Sequence, residues 1–139
     1  MAIAIRHGTE GDLESVRRIQ ERCKEAARWP PEHYIGRDFR VAVEDGRVAG
    51  FLVARRLPEG ESEILNLAVD PGQRRRGVAS ELIREWVAEA PGVVFLEVRE
   101  SNQAARKFYQ AFGFQEVGYR RQYYNDPPEA AIVLKFHSC

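Results

Sequence analysis

Two stretches of this sequence put unusual chemistry in unusual settings. The first is "AVDPGQRRRGVASELI", where Arg74, Arg75 and Arg76 run directly into the opening turn of a helical pattern. A helix start carries about half a positive charge from its aligned peptide dipoles, so three guanidinium groups there raise the free energy unless an anion lies among them. Gly77 and Ala79 are small enough to let such an anion reach the unpaired main-chain N–H groups of the turn. The spacing points to a di- or triphosphate-like group held by main-chain N–H donors and screened by arginines. A plain solvated face is the alternative. A Walker-type loop is excluded because no Gly-Lys-Ser/Thr follows, and a dinucleotide fingerprint because the turn holds one glycine.

The second stretch is "VVFLEVRE", where Glu97 interrupts an apolar run. A lone carboxylate on a strand covered on both faces is costly unless it has a partner or chemical work. A partner would be Arg99 or a residue on an adjacent strand. The work would follow from desolvation, which raises a carboxyl pKa toward neutrality and suits it to taking a proton from an ammonium.

The elements that carry these residues follow from hydrophobic period. "IAIR" reads as a first strand, and "TEGDLESVRRIQERCKEAAR" as a helix with Leu13, Val16, Ile19 and Cys23 along one face and Thr9 as its cap. "WPPEHY" breaks the pattern as a loop or a short helical turn. "FRVAVEDGRVAGFLVARR" is a hairpin turning at Asp45 and Gly46, and "SEILNLAVD" a fourth strand stopped by Pro71. A helix over "RGVASELIREWVAEA" carries a stripe of Val78, Leu82, Ile83 and Trp86. The strand of Glu97 comes next, then a helix capped by Ser101 or Asn102 and ended by Gly113, then strands over "FQEVGYRRQYY" and "AAIVLKF". The order predicts an α/β fold of the mixed α+β kind: one mostly antiparallel sheet of about seven strands, with a parallel crossover from strand 4 to strand 5 and helices on both faces. One domain over residues 1–139 is expected, with no repeat or linker.

Composition excludes several function classes. Lys plus Arg balance Asp plus Glu at 21 each, so no net field draws the molecule to nucleic acid or an anionic membrane. Cys23 and Cys139 are too few for a disulfide framework and lack metal spacing, so no metal is expected. His7, His33 and His137 are scattered, and none is given a role. The start, "MAIAIRHGTEGDL", is neither a signal peptide nor a membrane span, and a cytoplasmic location is expected.

"QRRRGVASELI" followed by "LEVRESNQAARKFYQAFGFQEVGYRRQYY" resembles the acyl-CoA-binding core of the GNAT N-acetyltransferase superfamily, over roughly Glu63 to Phe136. Within it, "LEVR-x-SN-x-A-A", "FY-x-x-x-GF" and "RR-x-YY" look most like the bacterial ribosomal-protein-alanine N-acetyltransferases. The resemblance implies acetyl-CoA as co-substrate and direct transfer of acetyl to a primary amine, with a protein N-terminus as acceptor. It implies Glu97 as general base, Tyr109 as general acid and Asn102 as a coenzyme A contact. Leu67, Ala68 and Val69 would offer strand main chain to the pantetheine and acetyl groups, and Arg74 through Ser80 would hold the pyrophosphate. Tyr109 as a core ring and Asn102 as an ordinary cap stay open beside these roles. No Cys or Ser of this region sits beside a His, which disfavours an acyl-enzyme route.

In N-terminal acetyltransferases the loop between the first two helices and the hairpin between the last two strands form the peptide slot. Here these are "ARWPPEHYIGRDF" and "RRQYYNDPPEAAI". Tyr123 and Tyr124 would bond a peptide backbone, and Glu129 would meet a basic acceptor residue; strand aromatics and a solvated loop are the alternative. The first loop and the Pro127-Pro128 turn depart from the ribosomal-protein enzymes, which leaves a small-molecule amine open as acceptor and, further off, a non-catalytic acyl-CoA sensor. The expected assembly is a monomer or homodimer.

Overall fold

Among the described residues the period-two stretches become strands and the 3.6-period stretches helices, while residues 24–28, the end of the first expected helix, lie outside them. The computed structural model describes residues 3–23, 29–73, 77–89, 92–125 and 127–138. Among these residues the order is β1 (Ile3–His7), α1 (Leu13–Arg22), β2 (Asp38–Glu44), β3 (Arg47–Leu57), β4 (Glu61–Val69), α2 (Val78–Glu89), β5 (Gly92–Arg99), α3 (Gln103–Phe112), β6 (Gln115–Tyr124) and β7 (Glu129–Ser138). The sheet runs β1-β2-β3-β4-β5-β7-β6. The expected mixed sheet with a parallel β4/β5 pair is therefore found. Among the described residues no helix is long and apolar enough to cross a membrane.

The chain divides into two compact units. The first takes the chain up to Arg55 and from Ile64 to the end of α2. In it, β2 and β3 form the expected hairpin, with Asp45 and Gly46 both at positive φ (53° and 74°) in the two-residue turn. Helix α1 lays Val16 and Ile19 onto Phe39, Val41, Phe51, Val53 and Ala68, and its C-cap Cys23 joins the same cluster. A 3₁₀ turn over Glu10–Asp12 precedes it, so α1 begins later than the Thr9 cap predicts. Asp12 draws the turn tight, accepting from Thr9 N (2.8 Å) and from Arg6 (2.8 and 2.9 Å). All four predicted stripe residues of α2 are buried, and the Trp86 indole N–H donates to Asp38 at 2.8 Å.

The second unit holds Arg56–Glu63 and everything from β5 onward. Glu61, Ser62 and Glu63 pair in parallel with Val93, Val94 and Phe95. Strand β7 lies antiparallel to β5 along its whole length and to β6 on its other side. Aromatic rings of Tyr109, Phe112, Phe114 and Phe136 pack 5.2–6.2 Å apart beneath α3. Strand β6 irregularly bulges between Arg120 and Tyr124, where Gln122 takes a φ of 51°.

Candidate active site

In the first unit the candidate residues gather where β4 gives way to α2. Gly77 caps the helix with its carbonyl, which accepts from Glu81 N at 3.0 Å. The N–H groups of Val78, Ala79 and Ser80 therefore lie ahead of the helical ladder with no intrahelical acceptor. Gly77 has a φ of +79°, and a Cβ built there would meet nothing within 4 Å. Only glycine reaches this conformation without strain, and the space above it is open. One turn earlier, Gln73 Oε1 is buried without a hydrogen bond. Open space and three spare N–H donors suit the diphosphate-like group inferred from the arginine run, whereas Gln73 Oε1 is an acceptor and adds nothing to an anion seat. Arg74, Arg75 and Arg76 themselves lie outside the described residues.

Leu67, Ala68 and Val69 form the end of β4, where inward and outward positions alternate strictly. The Val69 carbonyl accepts the Cys23 thiol at 3.3 Å, and the Ala68 carbonyl passes 2.9 Å from where a Cβ on Gly50 would stand. Beneath this strand lies a buried polar group that the sequence did not disclose. The fully buried Tyr34 donates to Gln20 Oε1 and accepts from Asn66 Nδ2 (3.1 Å), which also reaches Gln20 Oε1 (3.3 Å). Gln20 in turn donates to the Trp29 carbonyl at 2.9 Å, tying the Pro31–Tyr34 turn down. Burial pushes the Tyr34 phenol up, opposed by the Asn66 hydrogen bond. One signal was available: Asn66 occupies an inward position between Ile64 and Ala68, where a polar residue needs a partner.

In the second unit Glu97 lies on β5 opposite Val133, on the face away from the buried Val94 and Leu96. Its side chain is 13% exposed. Oε2 is buried and makes no hydrogen bond; its charge partner is Arg120 Nε at 3.5 Å, from β6. Burial raises the Glu97 pKa above the usual carboxylate range, with Arg120 pulling it back and Glu63 adding to the rise. The sequence offered Arg99 as a partner, but Arg99 turns to Glu129 (3.3 Å) and covers the Tyr124 ring at 4.4 Å.

Tyr109 on α3 is 7% exposed and edge-on to Phe108 (5.1 Å) and Phe114 (5.4 Å). Burial pushes its phenol well above the ordinary value, so it holds its proton more firmly than a free tyrosine. Asn102 caps α3, its side chain accepting from Ala105 N at 3.1 Å. Tyr124 is half-buried, and burial, the Glu97 charge and Tyr123 push its phenol up to about 12, with Arg99 opposing. Tyr123 is 47% exposed. Glu129 has both oxygens engaged, accepting from Arg99 at 3.3 Å and from Ser101 N at 2.5 Å. These bonds hold its carboxyl below the usual range and tie it to the turn before α3.

The first unit supplies a helix start that can seat an anion, and the second supplies a desolvated carboxylate that can take a proton and a firmly protonated phenol that can give a hydrogen bond. The profile of the acetyltransferase (GNAT) family matches residues 6–114. The chain is 41% identical to the N-alpha-acetyltransferase RimI of Mycobacterium tuberculosis over 110 residues, which cover 76% of this chain and 66% of that protein. It thus spans just under two thirds of that relative's length. Among solved structures it is similar to the ribosomal-protein-S18-alanine N-acetyltransferase of Escherichia coli (TM-score 0.83, 27% identity, 97% of this chain and 93% of that one). It is likewise similar to Ard1 of Thermoplasma volcanium (TM-score 0.89, 29% identity, 100% and 99%).

Proposed function

The chain belongs to the acetyltransferase (GNAT) family, and on that premise we propose that it is an acetyl-CoA-dependent N-acetyltransferase acting on the N-terminal α-amine of a protein, a ribosomal protein foremost. Residues 1–139 act as one catalytic domain in the cytoplasm. The observation that carries this reading is the Glu97 carboxylate, whose Oε2 is buried without a hydrogen bond and whose pKa is raised. A protein keeps such a group at a cost, and the cost is accounted for if an acceptor ammonium supplies the missing donor.

Direct transfer needs each of the remaining groups. Val78, Ala79 and Ser80 N–H groups, with Gly77 leaving room, hold the pyrophosphate of acetyl-CoA, and Arg74, Arg75 and Arg76 add charge to the same seat. Leu67, Ala68 and Val69 offer main chain to the pantetheine arm, and Asn102 adds a contact while capping α3. Glu97 takes a proton from the acceptor ammonium, directly or through water. The freed amine nitrogen attacks the thioester carbonyl carbon, the N–C bond forms, and the C–S bond breaks with its electron pair on sulfur, which takes up the second proton given up by the acylated nitrogen. Tyr109 donates a hydrogen bond to that sulfur. Its raised pKa favours a donor that retains most of its proton over one that transfers it early. Products are the acetylated amine, coenzyme A and one proton.

The α-amine is favoured on energetic grounds. A terminal amine titrates near about 8, and a lysine amine near about 10.4, a difference worth about 3 kcal/mol in deprotonation. A buried carboxylate whose pKa is raised by burial and by the nearby Glu63 suits the lighter task. Tyr123 and Tyr124 bond the acceptor backbone. The similarity to relatives named for acetylating an N-terminus or a ribosomal-protein alanine supports the same choice.

The test is thiol release from acetyl-CoA with a panel of acceptors. Peptides beginning Ala, Ser or Met are expected to turn over, and blocking the α-amine is expected to end transfer even when an internal lysine remains. Efficient acetylation of the blocked peptide, or a clear preference for spermidine or an aminoglycoside, would replace this reading with a small-molecule acetyltransferase.

A further inference from the structure

Arg120 holds a position that the proposed reaction does not use. Its guanidinium approaches Glu97 Oε2 at 3.5 Å, close enough to compensate charge and too far to make the missing hydrogen bond. The side chain is 58% exposed, so nothing in the packing pins it there. Across the sheet, Arg99, Ala131 and Arg120 share one register row, and Glu97 lies two residues along β5 on the same face, in the row of Val133 and Gly118. A second resting place lies along the same strand: Arg120 Cζ stands 5.3 Å from the centroid of the exposed Tyr123 ring, within cation–π range.

We propose that Arg120 is a positioning residue that stands in for the acceptor ammonium, compensating Glu97 while the acceptor is absent and moving off the carboxylate when the acceptor's charged amine arrives. The proposal rests on the reading of Glu97 as base. A buried carboxylate with no cation near it is pushed toward its protonated form, in which it cannot accept a proton. One held in a tight bidentate pair would be ionised but blocked. A loose, exposed cation at 3.5 Å avoids both outcomes. The other ionisable groups facing Glu97 are Glu63 from β4 and Tyr124 from β6, and both oppose its ionisation or lack a positive charge. Arg99, on the same strand, is engaged with Glu129 and Tyr124. Arg120 is thus the cation that sets Glu97 in the free enzyme.

The pH dependences of kcat/KM and of kcat separate this from a merely structural role. The first reports groups in the free enzyme and the second those in the substrate complex. Acceptor titration is common to all variants and drops out of the comparison. For Arg120→Ala the acid limb of kcat/KM is expected to move to higher pH, with about a three- to tenfold loss on its acid side, while the acid limb of kcat stays in place. Arg120→Lys should restore most of the loss. Limbs that move together would mean that Arg120 stays on Glu97 in the complex, and limbs that both stay would mean that it does not set Glu97; either overturns the proposal. If Arg120→Ala fails to fold, the parent enzyme serves. Its Arg120 Nε–H resonance should shift when an N-terminal peptide is added to the coenzyme A complex, and an unchanged resonance is the refuting result. Failure of the underlying reading shows separately, as full turnover by Glu97→Gln with any amine that the parent accepts.

Discussion

Replacing Glu97 with glutamine removes a charge and keeps the shape of the side chain. The carboxylate is 13% exposed, its Oε2 lacks a hydrogen bond, and burial holds its pKa above the usual range. A folded-state pKa above the unfolded value of about 4.3 means that the folded protein binds this proton more readily. Any stability from the group is present below that unfolded value and is lost as pH rises through the folded one. At neutral pH Glu97 therefore works against folding, and the glutamine variant should melt at the same temperature as the parent or higher, with the gain gone near about pH 4. Its catalysis should fall the other way. A positioned base is worth about 10²–10⁴-fold, so turnover at pH 7 should drop about 100-fold or more with acetyl-CoA affinity retained. A terminal amine with a pKa of about 8 is roughly one-tenth neutral at pH 7 and nine-tenths neutral at pH 9, so the deficit should shrink about tenfold between them. Thiol-release rates at the two pH values, on protein checked by calorimetry, decide the matter. An equal deficit at both, or none, would remove Glu97 from the base role.

Gly77→Val should abolish acetyl-CoA binding, because a branched side chain would fill the open space above the turn, and the positive φ should cost a further 1–2 kcal/mol, about what a β-substituted residue pays in left-handed geometry. Titration calorimetry on the folded variant showing unchanged affinity would mean that the turn seats no anion. Tyr34→Phe should lower unfolding free energy by about 1 kcal/mol, since Gln20 Oε1 loses its phenolic donor and keeps the Asn66 amide; urea melts with no change in midpoint would show the hydroxyl to be idle. Tyr124→Phe should weaken peptide turnover while sparing the slow hydrolysis of acetyl-CoA by water, and equal losses in both would place Tyr124 in the chemistry instead of in acceptor binding.

Much of the scaffold was legible because local rules decide it. Asp45-Gly46 forces a tight hairpin, the Val78/Leu82/Ile83/Trp86 stripe marks one face of α2, and Asn102 caps α3 as its residue type predicts. The turn at Gly77 was readable as a candidate anion seat, because cations at a helix start are repelled by its dipole and a glycine beside them opens main-chain donors to a group that would hold them there. What escaped depends on strand order. Glu97 and Arg120 meet because β7 separates β5 from β6, which brings residues distant in sequence across a single strand; local spacing favours Arg99 instead. Glu129 looked free for an acceptor because nothing in "PPEAAI" tells that Ser101 and Arg99 claim it. The Gln20–Tyr34–Asn66 group draws on a helix, a turn and a strand, and only the inward Asn66 hinted at it.

Strand β7 comes last in chain order yet sits between β5 and β6. During synthesis, β5 and β6 therefore emerge with facing edges that have no partner, each a row of exposed N–H and C=O groups. In the native register both edges pair with Glu129–Ser138 rather than with each other. Until those residues leave the ribosome the second unit is two open strand edges around a cluster of unburied aromatic rings, a state prone to wrong pairing. Arg120 and Glu97 become neighbours only once β7 is inserted, so the environment of the proposed base depends on that insertion. Substitutions that weaken β7, such as Leu134→Ala at its fully buried centre, should show first as aggregation of nascent chain and only second as lost activity of the protein that survives.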